Sequence, residues 1–193
     1  MPKFPGIALT VFASSLLLQG CAAMVVGGAA TTVVVAHDRR TTGTMVEDQS
    51  IELKAYDRLA QDEQIKQGSR INVTSYNKMV LLTGQADSET VRRKAEQLVG
   101  QVEQVRRVVN EIEIGSTASF GEHSRDLALT AETKLKLTNV KLPDFDSLRV
   151  KVVTERGTVY LMGLLTKEEA KAVTDVVRHI SGVRRVVKVF EYI

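Results

Sequence analysis

Apolar positions along the chain form two series of the same order. In the first, Ile51, Ala55 and Leu59 recur every four residues after Asp48, which predicts a helix with one buried stripe. Ile71 and Val73 open a strand, Tyr76-Asn77-Lys78 turns it, and Met79 to Thr83 returns. Asp87 or Ser88 is placed to cap a second helix, whose stripe is Val91, Ala95, Leu98 and Val102. Val108, Asn110, Ile112 and Ile114 then alternate as a last strand. The second series repeats the plan. A helix is expected from about Ser124 or Asp126 to Thr138, and Val150, Val152 and Thr154 begin a hairpin around Arg156-Gly157. Thr166 and Glu169 have capping-box spacing, and Ala170, Val173, Val177 and Ile180 form the stripe behind them. Gly182 is expected to end that helix as a left-handed C′ residue. Gln104 holds the matching place in the first series, so that helix is expected to end differently.

The two series are an internal duplication. Val105-Arg106-Arg107-Val108-Val109 returns unchanged as Val183-Arg184-Arg185-Val186-Val187, and Val80-Leu81-Leu82-Thr83-Gly84 aligns with Val159-Tyr160-Leu161-Met162-Gly163. Each copy reads helix, strand, strand, helix, strand. The strand–helix–strand crossover requires a partly parallel pairing, so the expected fold is α+β: two tandem units, each a three-stranded mixed sheet covered by two helices. A unit of roughly 70 residues is only marginally stable alone. In the last strand Val187, Val189 and Ile193 lie opposite Val186, Phe190 and Tyr192, and apolar residues on both faces imply that both are covered.

Ahead of the duplication the pattern changes. Lys3 precedes an apolar run from Ile7 to Leu18, shorter than the ~18–20 apolar residues a spanning helix needs, and Leu17-Leu18-Gln19-Gly20 leads to Cys21. Cys21 is the only cysteine and has no metal-ligand spacing around it. This arrangement resembles the lipobox of bacterial lipoproteins, which implies a diacylglyceryl group joined to the Cys21 sulfur, followed by cleavage between Gly20 and Cys21. A transmembrane anchor is the competing reading, since small and apolar residues resume from Ala22 to Ala36, although Gln19-Gly20 and Gly27-Gly28 interrupt them. The organisation expected is a signal peptide over 1–20, a lipidated cysteine and flexible tether over 21–46, a first unit over 47–115, a linker over 116–123 and a second unit over 124–193.

The element order, the Val-x-Leu-x-Gly pattern (Val80, Leu82, Gly84; Val159, Leu161, Gly163) and the ending at Gly182-Val183-Val186 resemble BON domains. Two copies behind a lipobox are similar to the dual-BON outer-membrane lipoproteins. The resemblance spans Cys21 to Ile193. It implies phospholipid binding, support of envelope integrity, and no catalytic chemistry. By resemblance to the lipoprotein sorting pattern, Ala22 implies an outer-membrane location, anchored at Cys21 and facing the periplasm.

Composition and charge narrow the chemistry. Residues 47–115 carry 10 Lys/Arg against 12 Asp/Glu, whereas residues 122–193 carry 13 against 10, so the second unit is the one suited to an anionic surface. The three histidines, His37, His123 and His179, are expected in a tether, a linker and a helix, with no acid or thiol spaced for a triad or a metal. Asp62-Glu63 and Glu168-Glu169 read as solvated neighbours rather than a catalytic pair. No enzyme, cofactor or metal site is expected. The arginine pairs lack the aromatic cluster of an RNA-binding sheet, so nucleic acid is not expected either.

The unusual segment is the first helix of the second unit. Leu129, Thr133 and Leu137 share its core face, while Leu127, Ala128, Ala131 and Leu135 fall on roughly the opposite side, with Arg125 and Lys134 nearby. Two readings stand open: packing against the sister unit or the 138–147 loop, or contact with the headgroup–acyl boundary of an anionic bilayer. The resemblance implies the second, because lipid binding in dual-BON proteins belongs to this helix. The expected lipid-binding residues are Arg125, Leu127, Ala128, Ala131, Lys134 and Leu135, extended to Gly163 and Leu164 in a turn after the second strand. Relatives can carry an exposed aromatic on this helix, and Ala128 stands in that region here. The rival function is an adaptor for outer-membrane assembly or peptidoglycan-remodelling proteins, with lipid contact incidental.

Overall fold

The computed structural model describes residues 38–193; the expected signal peptide, Cys21 and most of the tether lie outside them. In the first copy α1 spans Thr42–Gln61 and opens inside the stretch read as tether, with the Thr41 side chain accepting from the Thr44 amide. Asp62 stops it and caps the short helix α2 (Glu63–Gly68) through the amides of Gln64 and Ile65. Strands β1 (Ser69–Tyr76) and β2 (Met79–Ala86) pair antiparallel across a two-residue turn, Asn77-Lys78, with φ of +52° and +64°. Two left-handed residues in succession match the twist of the flanking strands. Helix α3 (Glu89–Gly100) is capped by Ser88, and β3 (Arg107–Asn110) returns parallel to β2. The last strand is not continuous as read. The Asn110 side chain accepts from the Ile112 amide, Ile112 turns into the core, and pairing with β2 resumes only at β4 (Glu113–Ile114).

The second copy begins with α4 (Phe120–Leu137), which starts within the expected linker on a Ser119/Glu122 capping box and so includes His123. A loop and a 3₁₀ turn at Ser147–Arg149 replace α2. Strands β5 (Lys151–Glu155) and β6 (Thr158–Leu165) form the hairpin around Arg156-Gly157. Helix α5 (Lys167–Val177) carries the expected Thr166/Glu169 capping box, and β7 (Arg185–Tyr192) lies parallel to β6. Two details depart from the sequence reading. Helix α5 ends at Val177, leaving His179 beyond it and Gly182 (φ +90°) in the loop before β7. Gln104 takes the same left-handed conformation (φ +71°), so the two copies turn alike at this point even though only one has glycine there.

One device recurs in both copies. Asp48 and Asp126, which read as helix starts, are buried and bind the hairpin turn of their own copy. Asp48 accepts from the amides of Asn77 and Lys78, at 2.8 and 2.7 Å, and from the Ser75 hydroxyl at 2.7 Å. Asp126 accepts from the amides of Arg156 and Gly157, at 2.7 and 2.8 Å. A tight turn leaves amides without sheet partners, and the carboxylate satisfies them while tying the helix to the hairpin. The motif glycines serve the same hairpins. A Cβ on Gly84 (φ +109°) would lie 2.0 Å from the Arg70 carbonyl oxygen, and one on Gly163 would lie 2.8 Å from that of Arg149.

Three apolar clusters result. Ile51, Ala55, Val80, Leu82, Ala95 and Val99 fill the space between helices and sheet in the first copy; Leu129, Leu137, Val159, Leu161, Val173 and Phe190 do so in the second. The third cluster joins the sheets: Tyr76, Met79 and Leu81 pack with Tyr160, Met162 and Val189. Thus β7 is covered on both faces, by its own helices and by the sister sheet. Burial raises the Tyr76 and Tyr160 phenols to about 12.

Polar contacts border the joint. Gln85 donates to Glu155 at 2.7 Å, Lys151 pairs with Glu52 at 3.0 Å, and the Tyr76 hydroxyl donates to the Arg149 carbonyl at 3.2 Å. The repeated arginines belong here too: Arg106 pairs with Glu191 at 2.5 Å and Arg185 with Glu111 at 3.0 Å.

Candidate membrane-contacting helix

Helix α4 buries Asp126, Leu129, Thr133 and Leu137 against its sheet. Leu127 and Leu135 stay 60% and 66% exposed, and Ala128 and Ala131 are also exposed, so the second apolar side packs on neither the sister copy nor the 138–147 loop. The early start of the helix adds a residue the sequence reading missed. Phe120, 87% exposed, stands at i relative to Leu127 (i+7) and Ala131 (i+11), a spacing that places all three on one stripe. The helix therefore presents an aromatic, at its N-terminal turn rather than near Ala128.

Charge borders this stripe. At 100° per residue Arg125 flanks it on the Ala128 side and Lys134 on the Leu127 side. Both are exposed, and neither makes an ion pair among the described residues. The acids nearest the helix start, Glu122 and Asp126, both bond to backbone, and Glu122 also lies within electrostatic reach of Arg125. Glu122 accepts from the Ser119 backbone and hydroxyl, bonds that hold its carboxyl below the usual range, and Asp126 is committed to the turn. Along the Arg125 flank runs a groove of about 370 Å³, lined by Ala128, Leu129 and Gly182, by the acids Glu122 and Glu132 and, from the loop before β7, by Arg184. Arg184, read only as half of a repeated string, is a further cation beside the stripe.

Gly163 and Leu164 do not belong to this surface. Both lie within β6, which continues to Leu165, rather than in a turn after it. Gly163 is buried under the Arg149 carbonyl. Leu164 packs toward the inter-sheet cluster, and its carbonyl accepts from Arg39 at 2.9 Å.

The carboxylate pairs read as solvated are in use. Asp62 pairs with Lys94 at 2.6 Å. Glu169 is buried and bound by both Arg39 guanidinium nitrogens, at 2.6 and 2.8 Å. Burial would push the Glu169 carboxyl up; the Arg39 hydrogen bonds and the Thr166 amide outweigh it and hold the group below its ordinary range. Among the described residues no three His, Cys, Asp or Glu side chains are grouped to hold a metal, and no helix is long and apolar enough to cross a membrane.

Comparison with known proteins agrees with this architecture. The BON domain pattern matches residues 47–116 and 126–193. The chain is 40% identical over 186 residues to the outer membrane lipoprotein DolP of Haemophilus influenzae, covering 95% of this chain and 94% of that one. It is 37% identical over 156 residues to a 21 kDa hemolysin of Actinobacillus pleuropneumoniae, covering 81% of this chain and 79% of that protein. Among solved structures, CdsD, a structural protein of the type III secretion system of Chlamydia trachomatis, overlays with a TM-score of 0.29 at 15% identity, covering 76% of this chain and 63% of that one; a likeness so distant carries no argument.

Proposed function

The chain belongs to the BON-domain family, and from that premise we propose that it is a non-enzymatic envelope lipoprotein whose second BON domain binds anionic phospholipid through the outer face of α4. The observation that carries the reading is an exposed apolar stripe (Phe120, Leu127, Ala131, Leu135) flanked by two exposed cations, Arg125 and Lys134, that form no ion pair among the described residues. Leucine and phenylalanine reach the acyl boundary while Arg and Lys remain at headgroup level, which is the arrangement of an interfacial helix. Likeness to an outer membrane lipoprotein supports Cys21 as the anchor and the periplasmic side of the outer membrane as the location. The lipidated cysteine would hold the chain at the membrane, and the basic–apolar face would add selectivity for anionic lipid. Support of envelope integrity follows as the role of a protein that reports on or organises anionic lipid.

The test uses the whole folded region, because separated copies would expose the inter-sheet cluster and bind vesicles for the wrong reason. Protein covering residues 38–193 should float with phosphatidylglycerol vesicles and not with phosphatidylcholine. Each cation at such a surface contributes about 1 kcal/mol, so Arg125→Gln with Lys134→Gln should weaken binding by roughly tenfold or more. Flotation indifferent to lipid charge would remove this reading. Anchoring is tested separately. Cys21→Ser should leave an uncleaved or mislocalised precursor in cells, and normal processing of that variant would remove Cys21 from the proposal.

A further inference from the structure

The sheet edges of this protein are closed in different ways, and one is left open. On β1 the Tyr56 hydroxyl accepts from the Val73 amide at 3.0 Å and donates to the Val73 carbonyl at 3.4 Å, while Glu52 accepts from the Ser75 amide at 2.8 Å. Side chains of α1 thus occupy that edge. In the other direction β3 runs for four residues before the break at Glu111-Ile112, and β5 is only five residues long. Short or broken edges are poor templates for a further strand. By contrast β7 is eight unbroken residues, pairs only with β6, and has no side chain bonded to its outer backbone groups among the described residues.

Beside that edge, between β7 and α5, lies a groove of about 410 Å³. Its helix wall carries Lys167, Lys171, Thr174 and Arg178 at i, i+4, i+7 and i+11, one continuous stripe. Its strand wall carries Lys188 and Tyr192, which share a side of β7. Lys167, Lys171 and Lys188 make no ion pair among the described residues; the acid lining the groove, Asp175, is paired with Arg178 at 3.3 Å. Tyr192 is 54% exposed and supplies an apolar surface at the far end.

We propose that the β7 edge and this groove accept an extended acidic segment of a partner protein as an added strand. Main-chain hydrogen bonds to the free edge supply the pairing, and alternate acidic side chains reach the lysines of α5 and Lys188. Lysine on an edge ordinarily repels other strands, which are neutral or basic as often as acidic. Here three unpaired lysines turn that repulsion into selection by charge. A lipid headgroup would satisfy the cations but make no use of an unbroken backbone edge, so the strand is the better match. The surface uses none of the α4 residues, and the inference stands independently of lipid binding.

The experiment adds a capped decapeptide of alternating Glu and Thr to ¹⁵N-labelled protein covering residues 38–193. The β7 amides should shift and their hydrogen exchange should slow. Lys167→Glu with Lys171→Glu should weaken binding at least tenfold, and Lys188→Glu, from the opposite wall, should do the same, both with unchanged circular dichroism. Leu127→Asp should leave it intact. A version N-methylated at every second residue keeps the charge but cannot pair, and it should not bind. Equal binding of the methylated peptide would reduce the groove to a charged patch and overturn the proposal. So would no shift at β7 at millimolar peptide. Competition by phosphatidylglycerol vesicles in the Leu127→Asp background would assign the lysines to lipid and overturn it as well.

Discussion

Helices α1 and α4 are the same element in two copies, with buried faces that match residue for residue: Asp48, Ile51, Ala55 and Leu59 against Asp126, Leu129, Thr133 and Leu137. Their outer faces differ. On α1 the side chains are tied back to the protein, with Tyr56 and Glu52 on β1, Lys54 on Glu103 at 3.3 Å, and Lys78 on Glu47 at 2.8 Å. On α4 Phe120, Leu127 and Leu135 stand free, and beside them Arg125 and Lys134 are exposed and form no ion pair among the described residues. Leu53, 72% exposed on α1, shows that apolar exposure alone does not distinguish the helices. The distinction is apolar exposure together with these exposed cations. What the duplication retained is the means of folding; what it varied is the surface open to a ligand.

The comparison can be broken most sharply at the hairpin glycines. Gly84→Ala forces a Cβ to 2.0 Å from a backbone oxygen at positive φ, so it should cost on the order of 4 kcal/mol or more in urea denaturation. Gly163→Ala meets its oxygen at 2.8 Å without the φ penalty and should cost less, about 1–3 kcal/mol. Equal losses would mean that the copies are more alike than their geometry indicates. Next in size is the effect on vesicle binding. Leu127→Asp sets a like charge against the headgroups and should lower affinity for phosphatidylglycerol by more than tenfold, whereas Leu53→Asp on α1 should change it less than twofold. Raising salt should weaken the wild type by screening the same attraction.

A pH series isolates the contact between the segment ahead of α1 and the second copy, at Arg39 and Glu169. Since the folded-state pKa of Glu169 lies below its unfolded value, its contribution is complete above the ordinary carboxylate range and is lost as pH falls through the folded value. Glu169→Gln should therefore be less stable than wild type at pH 7, by about 1–3 kcal/mol, with the gap closing below about pH 4. A gap independent of pH would assign the loss to packing. The smallest effect is expected at Gln104. A non-glycine residue held at φ +71° is mildly strained where Gly182 is not, so Gln104→Gly should raise stability by about 0.5–1 kcal/mol, measured as a shift in the denaturation midpoint.

The buried faces were legible because burial imposes a period, and the stripes of α1, α4 and α5 and the two hairpins fall where that period puts them. Helix α3 departs from it: Val99 is buried in full, Leu98 is half-buried, and the helix ends before Val102. Helix starts were less so. The first turns of α1 (Thr42 to Met45) and α4 (Phe120 to His123) precede the apolar period, and an acid ahead of a stripe, as at Asp48 and Asp126, looks the same whether it caps a helix or binds a distant turn. That misreading hid Phe120. Only the two β-turns, each 29 to 31 residues further along, reveal what the aspartates do. Gly163 and Leu164 were misplaced because glycine in an apolar run signals a turn as readily as a close backbone approach. The roles of Arg106 and Arg185 depend on how two sheets meet, which no local pattern encodes.

The third apolar cluster has a consequence for geometry outside the molecule. Since the sheets lie back to back, the helices of the two copies form opposite outer layers, separated by two sheets at a spacing of roughly 10 Å per layer. When α4 rests on a surface, α1 and α3 are held some 30 Å above it and directed away. On the proposed reading the joint would act as a spacer: whatever engages the far layer would be presented at a set distance from the surface, and copies resting on one sheet of lipid would present it at the same level.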